Sequence, residues 1–182
     1  MFRCCSNGLR SAAITCGALI LISAALAFCS SSSASGQTPA PTIASLRIIG
    51  KVERPLVARE TDLQALPRKR LTVTDDKGAR VTYEGVPVIE LLRRAGVPLG
   101  KQLRGGQLRL YVIVEASDGY QVVFALPEFD PDFTDRVIIL ADHRNGHALV
   151  SPEGPFRLIV DGEKRHARWV REVITFDVEQ AQ

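Results

Sequence analysis

The chain has 182 residues, with 23 Lys and Arg against 20 Asp and Glu, which gives a formal net charge of +3. Arg3 and Arg10 supply two of these positive charges, so the rest of the sequence is close to neutral. This balance excludes the broad basic surface that nucleic-acid binding requires. The short basic run at 68–70 is typical of a solvated strand edge.

Residues 1–36 differ in composition from everything that follows. A basic start without acidic residues precedes an apolar run from Ala12 to Phe28 and then a serine tract. This order predicts a secretory signal peptide, cleaved before Gln37, where small residues precede the bond. The segment has no adjacent arginine pair, which favours the Sec route over the twin-arginine route. We therefore expect a periplasmic or secreted protein. Retention of the apolar run as an anchor and a lipid on Cys29 are the alternatives.

All the cysteines of the chain fall within this predicted leader: Cys4, Cys5, Cys16 and Cys29. The processed chain would then have no thiol for a disulfide, a nucleophile or a metal ligand. Residues 37–45 contain Pro39 and Pro41 and predict a flexible linker. The remaining residues, 46–182, are enough for one domain with its own core.

The domain is predicted to alternate short strands with a few short helices, beginning with an extended segment around Gly50. The predicted elements of its first half, in chain order, are a helical turn at Thr61–Leu66 capped by Thr61, strands at Leu71–Thr74 and Arg80–Tyr83 joined by a turn at 76–78, and a helix at Pro87–Ala95. Pro87 suits the first helical position and Gly96 suits the C-terminal cap.

The second half is predicted to be mostly strands. They are a hairpin of 108–114 with 121–126, an apolar strand at 137–141, a return strand at 148–150 after the Asn145-Gly146 turn, and strands at 156–160 and 169–178. This count predicts an α+β fold with mixed or antiparallel sheets and a few short helices.

Three local patterns are candidates for a metal-binding or catalytic site. His143 and His147 have a metal-ligand spacing, but the hairpin turn between them predicts that Arg144 pairs with His147 and that the two imidazoles lie on opposite sheet faces. Ser117 lacks the Gly-x-Ser-x-Gly context of a nucleophile. The carboxylates at 128, 130 and 132 lie in a Pro-rich loop, where solvated acids are expected, and they lack the ligand spacing of a calcium loop.

Several segments together carry a family resemblance. They are Leu46-Arg47-Ile48-Ile49-Gly50, Leu66-Pro67-Arg68, Tyr83-Glu84-Gly85-Val86-Pro87, Ser117-Asp118-Gly119-Tyr120, Gly154-Pro155-Phe156-Arg157 and Arg168-Trp169-Val170. In this order they resemble the oxidoreductase molybdopterin-binding domain of sulfite oxidase-like proteins. The resemblance spans most of residues 46–178 and implies the α+β fold of that domain.

The resemblance also implies a cofactor and its contacts. In that family the domain holds a pyranopterin dithiolene, one cysteine thiolate binds the molybdenum, and basic side chains bind the phosphate. Arg157 and Arg168 stand where the family places basic residues, and a guanidinium suits bidentate phosphate contact. Asp118 and Tyr120 match a family loop near the pocket. These four residues are the predicted cofactor-binding residues, and no catalytic residue is predicted.

The chain departs from the family pattern at two positions in the domain. Residues 73–78 replace the segment that carries the cysteine, so the thiolate ligand is missing. Asp75 or Asp76 is the alternative ligand, although both lie in a predicted turn. Glu153 stands where many relatives have histidine, beside the predicted anion site. These departures, with the Sec-type leader, argue against molybdenum.

Two functional hypotheses follow. The first is a non-catalytic module that binds a pterin, another small anion or a periplasmic protein, with molybdopterin as the possible cofactor and no bound metal. The alternative is an active molybdopterin-dependent oxidoreductase whose metal ligand is not cysteine or comes from a partner. Neither hypothesis involves nucleic acid, and no membrane span is expected after cleavage.

Overall fold

A computed structural model describes residues 45–75 and 77–182. The predicted leader and its cleavage site, all four cysteines, nearly all of the linker and Asp76 lie outside the described residues. The strands are β1 (Ser45–Gly50), β2 (Leu56–Arg59), β3 (Lys69–Thr74), β4 (Arg80–Pro87), β5 (Leu110–Ala116), β6 (Gln121–Ala125), β7 (Ile138–Arg144), β8 (His147–Ala148), β9 (Arg157–Val160) and β10 (Val173–Gln180). The helices are α1 (Glu60–Gln64) and α2 (Val88–Arg94), and short 3-10 turns join several strands.

The strands form two five-stranded sheets. The first has the order β2-β1-β10-β5-β6, in which β1 and β10 are parallel and the other pairs are antiparallel. The second has the order β3-β4-β7-β8, with β9 also paired to β7, and all its pairs are antiparallel. This arrangement confirms the predicted α+β class with mixed and antiparallel sheets.

Alternating burial explains which face of each sheet points inward. Along β5, Leu110, Val112, Val114 and Ala116 are buried while the residues between them are partly exposed, as expected for a strand with one face on a core. Helix α2 buries Val88, Leu91 and Leu92 on one face. These side chains join one hydrophobic cluster that includes residues of both sheets.

The strongest predicted turn is confirmed. Asn145 and Gly146 both have positive φ, at 51° and 82°, which the tight hairpin turn requires. Arg144 pairs with His147 and His143 pairs with Ala148, in the predicted register. Gly96 also has a positive φ of 76°, in agreement with its predicted place after the helix.

Several predicted element boundaries are wrong. Helix α1 starts at Glu60 and is not capped by Thr61, because the Asp62 carboxylate accepts the N–H of Arg59 instead. Pro87 ends β4 and precedes the helix rather than opening it. The last strand starts at Val173, since a 3-10 turn occupies 166–168. In 45–75 and 77–182, no helix is long and apolar enough to cross a membrane.

Candidate functional site

Two concave regions compete as the binding site. The larger is a groove of about 1090 Å³ with apolar walls that include Leu149, Phe156 and Val173. The smaller, which we call the polar cavity, measures about 510 Å³ and is lined by Ala116, Asp118, Tyr120, Glu153, Arg157, His166, Ala167, Trp169, Val170 and Arg171. Converging polar groups, rather than volume, give a site its specificity. Three of the four predicted residues, Asp118, Tyr120 and Arg157, line the polar cavity, so it is the candidate site.

A close backbone crossing positions one wall of the polar cavity. A side chain at Gly154 would meet the carbonyl group of Leu149 at 2.4 Å, so the turn can pass Leu149 only with glycine there. Beyond the turn, the N–H of Leu158 donates to the carbonyl of Val170 at 2.8 Å and the N–H of Val173 donates to that of Phe156 at 2.9 Å. The segment that carries Glu153 and Arg157 is thereby fixed against the segment 169–173.

Arg157 lies against two aromatic rings that also contact each other. Its guanidinium carbon is 5.7 Å from the ring centre of Tyr83 and 5.9 Å from that of Trp169. The Arg157 side chain is 12% exposed, and one terminal nitrogen, Nη1, donates to the hydroxyl oxygen of Tyr83 at 3.3 Å. Its Nε is buried and has no hydrogen-bond partner within the part of the chain that the structure describes. A buried donor without a partner costs free energy, so Arg157 is not fully satisfied by its present neighbours, and it lines the polar cavity, where an acceptor can approach its exposed part.

Carboxylates surround the guanidinium groups near Arg157. Glu153 Oε1 lies 3.1 Å from Arg157 Nη1 and 3.2 Å from Arg144 Nη1. Arg144 also reaches Asp75 Oδ2, at 3.4 Å. Asp75 itself accepts the backbone N–H groups of Ala79 and Lys77, both at 2.9 Å, and the bond from Ala79 is the main cause that lowers its pKa. Asp75 therefore closes a turn, as its position in the sequence suggests.

The tyrosine beneath Arg157 is one of the largest fully buried side chains. Tyr83 is 1% exposed, and its ring meets Trp169 edge to face with centroids 6.0 Å apart. Burial raises the pKa of Tyr83, and this effect outweighs the opposing charges of Arg157 and Arg144. The phenol therefore stays protonated at neutral pH and provides a fixed neutral oxygen to Arg157.

The β5–β6 turn supplies the opposite part of the cavity lining. Asp118 Oδ1 accepts the N–H of Tyr120 at 2.9 Å, which is turn chemistry. The hydroxyl of Tyr120 donates to the carbonyl oxygen of Ala167 at 2.8 Å. This bond anchors the Tyr120 ring, which is 48% exposed, and gives the cavity a planar surface of fixed orientation.

An aromatic stack completes the lining. The His166 and Trp169 rings are stacked with centroids 3.7 Å apart and an interplanar angle of 19°. The indole N–H of Trp169 donates to the carbonyl oxygen of Val160 at 3.1 Å. Trp169 is therefore held by β9 on one side while it supports His166 on the other.

Arg168 does not line the polar cavity, although its neighbours Ala167 and Trp169 do. Its guanidinium binds Glu163 and Glu128, the latter at 3.0 Å, and lies 4.5 Å from the ring centre of Phe124. Burial acts to lower the pKa of Arg168, but these hydrogen bonds outweigh burial and raise it. The structure thus places Arg157 in the lining of the polar cavity and Arg168 among carboxylates outside that lining.

Two expectations about solvated charges are wrong. Asp130 is 2% exposed rather than solvated, because its Oδ2 accepts the N–H of Gly100 at 2.6 Å. Arg68 is not a solvated edge charge: it hydrogen-bonds the buried carboxylate of Asp142, the main cause that raises its pKa, and also Glu84. Arg70, at 76% exposure, does fit the expectation for a strand edge.

Across 45–75 and 77–182, no three His, Cys, Asp or Glu residues are grouped in a way that could hold a metal ion. His143 is hydrogen-bonded to Asp142 through Nδ1 at 2.7 Å, and His166 stacks on Trp169. The proposed replacement ligand Asp76 lies outside the described residues.

Comparison with known proteins places the domain in a fold class. No family model matches the chain, and no curated protein sequence matches it. Among solved structures, one match supports a fold like that of the molybdenum oxidoreductases of the sulfite oxidase-like class, as the sequence predicts. That structure is the sulfane dehydrogenase SoxCD from Paracoccus pantotrophus, with a TM-score of 0.59 and 26% sequence identity. The match covers 76% of this chain but 38% of that chain, so this chain corresponds to less than half of the dehydrogenase chain.

Sequence reasoning missed three residues of the site. Tyr83 and Arg144 face each other because they pair between β4 and β7, and a register shift next to Glu84 makes this pairing hard to read from local patterns. Trp169 was noted only as part of a family motif. The one available signal was that Trp169 is the single tryptophan of the chain.

Proposed function

We propose that this domain binds a small anionic ligand of the pterin type in the polar cavity and serves as a binding or accessory module. One observation carries the proposal. Arg157 lines the polar cavity against two rings, its side chain is 12% exposed, and its Nε is buried without a partner among the described residues. A guanidinium in this state favours an acceptor with several oxygen atoms, such as a phosphate.

The residues present fit the organic part of a molybdopterin better than its metal. Arg157 would bind the phosphate, and the anchored Tyr120 ring offers a flat surface for a heterocycle. The metal of this cofactor takes a thiolate in the family that the sequence resembles, and every cysteine of the chain falls within residues 1–29. We therefore propose binding without molybdenum–thiolate chemistry. The structurally similar protein is named a sulfane dehydrogenase, but the match covers only 38% of that chain, so its activity is not part of this proposal.

We also propose export, with residues 1–36 removed and the domain released into the periplasm or medium. The composition of that segment supports the proposal. The partner would be the small anion itself or a periplasmic protein. Mass spectrometry of the protein purified from its native host should find Gln37 as the first residue. A retained leader, or a lipid on Cys29, would contradict this part of the proposal.

Binding can be tested with the whole protein as purified from its native compartment. Elemental analysis should find no molybdenum or tungsten, and chromatography of an acid extract should show a pterin if one is carried. Titration calorimetry with inorganic phosphate should show weaker binding for Arg157→Lys, which keeps the charge but loses the planar fork. Arg109→Lys is the matched control, because Arg109 does not line the cavity.

Two results would contradict the proposal. Equal phosphate affinity of Arg157→Lys and the unaltered protein would remove Arg157 from the site. Stoichiometric molybdenum in the natively matured protein would instead support the alternative, an active oxidoreductase whose metal ligand is not cysteine or comes from a partner.

A further inference from the structure

Glu153 already occupies part of the site where an anionic ligand would bind. Its Oε1 lies 3.1 Å from Arg157 Nη1, and its side chain is 29% exposed and lines the polar cavity. At this distance the Glu153 carboxylate forms an ion pair with the same nitrogen that a ligand oxygen would contact. Any anion that contacts Arg157 through Nη1 must therefore compete with Glu153.

A second arginine makes that competition possible. Both oxygens of Glu153 accept from Arg144 Nη1, at 3.2 and 3.4 Å, while Arg144 also holds Asp75. If Glu153 leaves Arg157, it keeps Arg144 and is not left as an unpaired charge. Without Arg144, a Glu153 carboxylate that left Arg157 would have only the solvent of the cavity as a partner, so its release would be less favourable.

We propose that Glu153 is a built-in competitor that sets which anions the polar cavity accepts, releasing Arg157 to a bound ligand while it stays paired with Arg144. This inference rests on the proposed anion site and adds the determinant of its selectivity. A monocarboxylate offers Arg157 nothing that Glu153 does not already offer. A phosphate dianion offers more charge and three acceptor oxygens, so it displaces Glu153 where a monocarboxylate does not.

The charges that line the cavity agree with this assignment. Two carboxylates, on Asp118 and Glu153, balance two guanidinium groups, on Arg157 and Arg171. A site that attracted every anion would have an excess of positive charge. The balance instead favours ligands that bind strongly enough to move one carboxylate, and Glu153 is the one that contacts Arg157.

Calorimetry on three forms of the protein tests the proposal with inorganic phosphate and acetate as probes. Glu153→Gln removes the competing charge at nearly constant shape, and phosphate should bind about three- to tenfold more tightly. Acetate, which the unaltered protein should not bind detectably, should become a measurable ligand. Glu179→Gln, which makes the same change of net charge on β10 away from the cavity, should leave both affinities unchanged.

The role of Arg144 is tested by a double-mutant cycle. Arg144→Gln should weaken phosphate binding, because Glu153 then loses its second partner. In the Glu153→Gln background the same substitution should have a much smaller effect, since no carboxylate needs a partner. Equal effects of Arg144→Gln in both backgrounds would overturn this role of Arg144 and leave only a general charge effect.

The remaining outcomes separate this inference from the proposed function. If Arg157→Lys weakens phosphate binding but Glu153→Gln does not strengthen it, the anion site stands and the competitor role is wrong. If neither substitution changes phosphate affinity, the anion site itself is wrong and the inference falls with it. Should Glu153→Gln fail to fold, as judged by circular dichroism, Glu153→Ala serves the same test with the same expected direction.

Discussion

Two carboxylates in this domain, Asp142 and Glu153, each contact two basic side chains but differ in their exposure to solvent. Asp142 accepts from Arg68 and from His143, at 3.0 and 2.7 Å, and its side chain is 5% exposed. Glu153 contacts two arginines, but its side chain is 29% exposed and lines a cavity. The partners alone do not distinguish a structural ion pair from an exchangeable one. Access to a cavity distinguishes the two, because a ligand or water in the cavity can take the place of one partner.

The cost of breaking each pair follows from this difference. Asp142 lies next to the register shift between β4 and β7 and is only 5% exposed, so solvent has little access to it. Glu153 can be solvated from the cavity, and because it contacts two arginines it can release one and stay paired with the other. We therefore expect the Asp142 cluster (Asp142, Arg68 and His143) to contribute mainly to stability and the Glu153 cluster (Glu153, Arg144 and Arg157) mainly to ligand binding.

The largest expected effect is on Asp142. Asp142→Asn should lower the free energy of unfolding by about 3 kcal/mol, because it leaves the partly buried Arg68 without its main counter-ion. Glu153→Gln should cost less than about 1 kcal/mol, as expected for a partly exposed pair. Urea denaturation followed by circular dichroism measures both. Equal losses for the two variants would erase the distinction between the clusters.

The pH dependence of stability should show the same contrast. Burial alone would raise the pKa of Asp142, but the hydrogen bonds from Arg68 and His143 outweigh it and hold that pKa below its ordinary value. The stabilisation is therefore complete above the pKa of an unfolded aspartate and is lost as the pH falls through the lower, folded value. The stability difference between the unaltered protein and Asp142→Asn should shrink over that acidic range. A difference that stays constant with pH would refute the assignment.

A smaller effect is expected where Arg157 meets a neutral partner. Tyr83→Phe keeps the buried ring but removes the oxygen that accepts from Arg157 at 3.3 Å. The loss should be about 1 kcal/mol of stability, with weaker phosphate binding because Arg157 is less well oriented. Tyr111→Phe on β5, where the tyrosine is only partly buried and does not line the polar cavity, is the matched control. Phosphate affinity that is unaffected in Tyr83→Phe would show that the hydroxyl does not orient Arg157.

The smallest effect on binding is expected at Arg168. Arg168→Gln removes a guanidinium that Glu128 and Glu163 already hold outside the cavity. Phosphate affinity should change less than about twofold, while stability falls by about 1 kcal/mol. A marked loss of phosphate affinity would restore the family-based role of Arg168 and place the anion elsewhere.

Local sequence patterns predicted much of this fold but little of the site. The Asn145-Gly146 hairpin was predictable with its register, because positive φ at two adjacent positions restricts both turn type and pairing. The joint location of Asp118, Tyr120 and Arg157 came from the family resemblance rather than from their own spacing. The place of Arg168 outside the cavity lining was not predictable, because Arg168 lies in a 3-10 turn at 166–168 that the local patterns do not predict.

The contacts around Arg157 depend on strand register and were beyond local reasoning. Tyr83 and Arg144 are 61 positions apart in sequence and face each other only because β4 and β7 pair with a shift at Glu84 and Gly85. Gly85 allows that crossing, because a side chain there would meet the carbonyl oxygen of Leu140 at 2.0 Å. Nothing in a single sequence specifies such a long-range register.

The stacked ring behind Arg157 gives the protein an optical reporter of its own cavity. Trp169 is the sole tryptophan in the chain, it is 5% exposed, and it contacts both Arg157 and His166. Its emission on excitation near the red edge of protein absorption therefore comes from one wall of one cavity, without background from other indoles. Occupancy of the cavity can be followed in the unlabelled, unaltered protein, in dilute solution and on the millisecond scale.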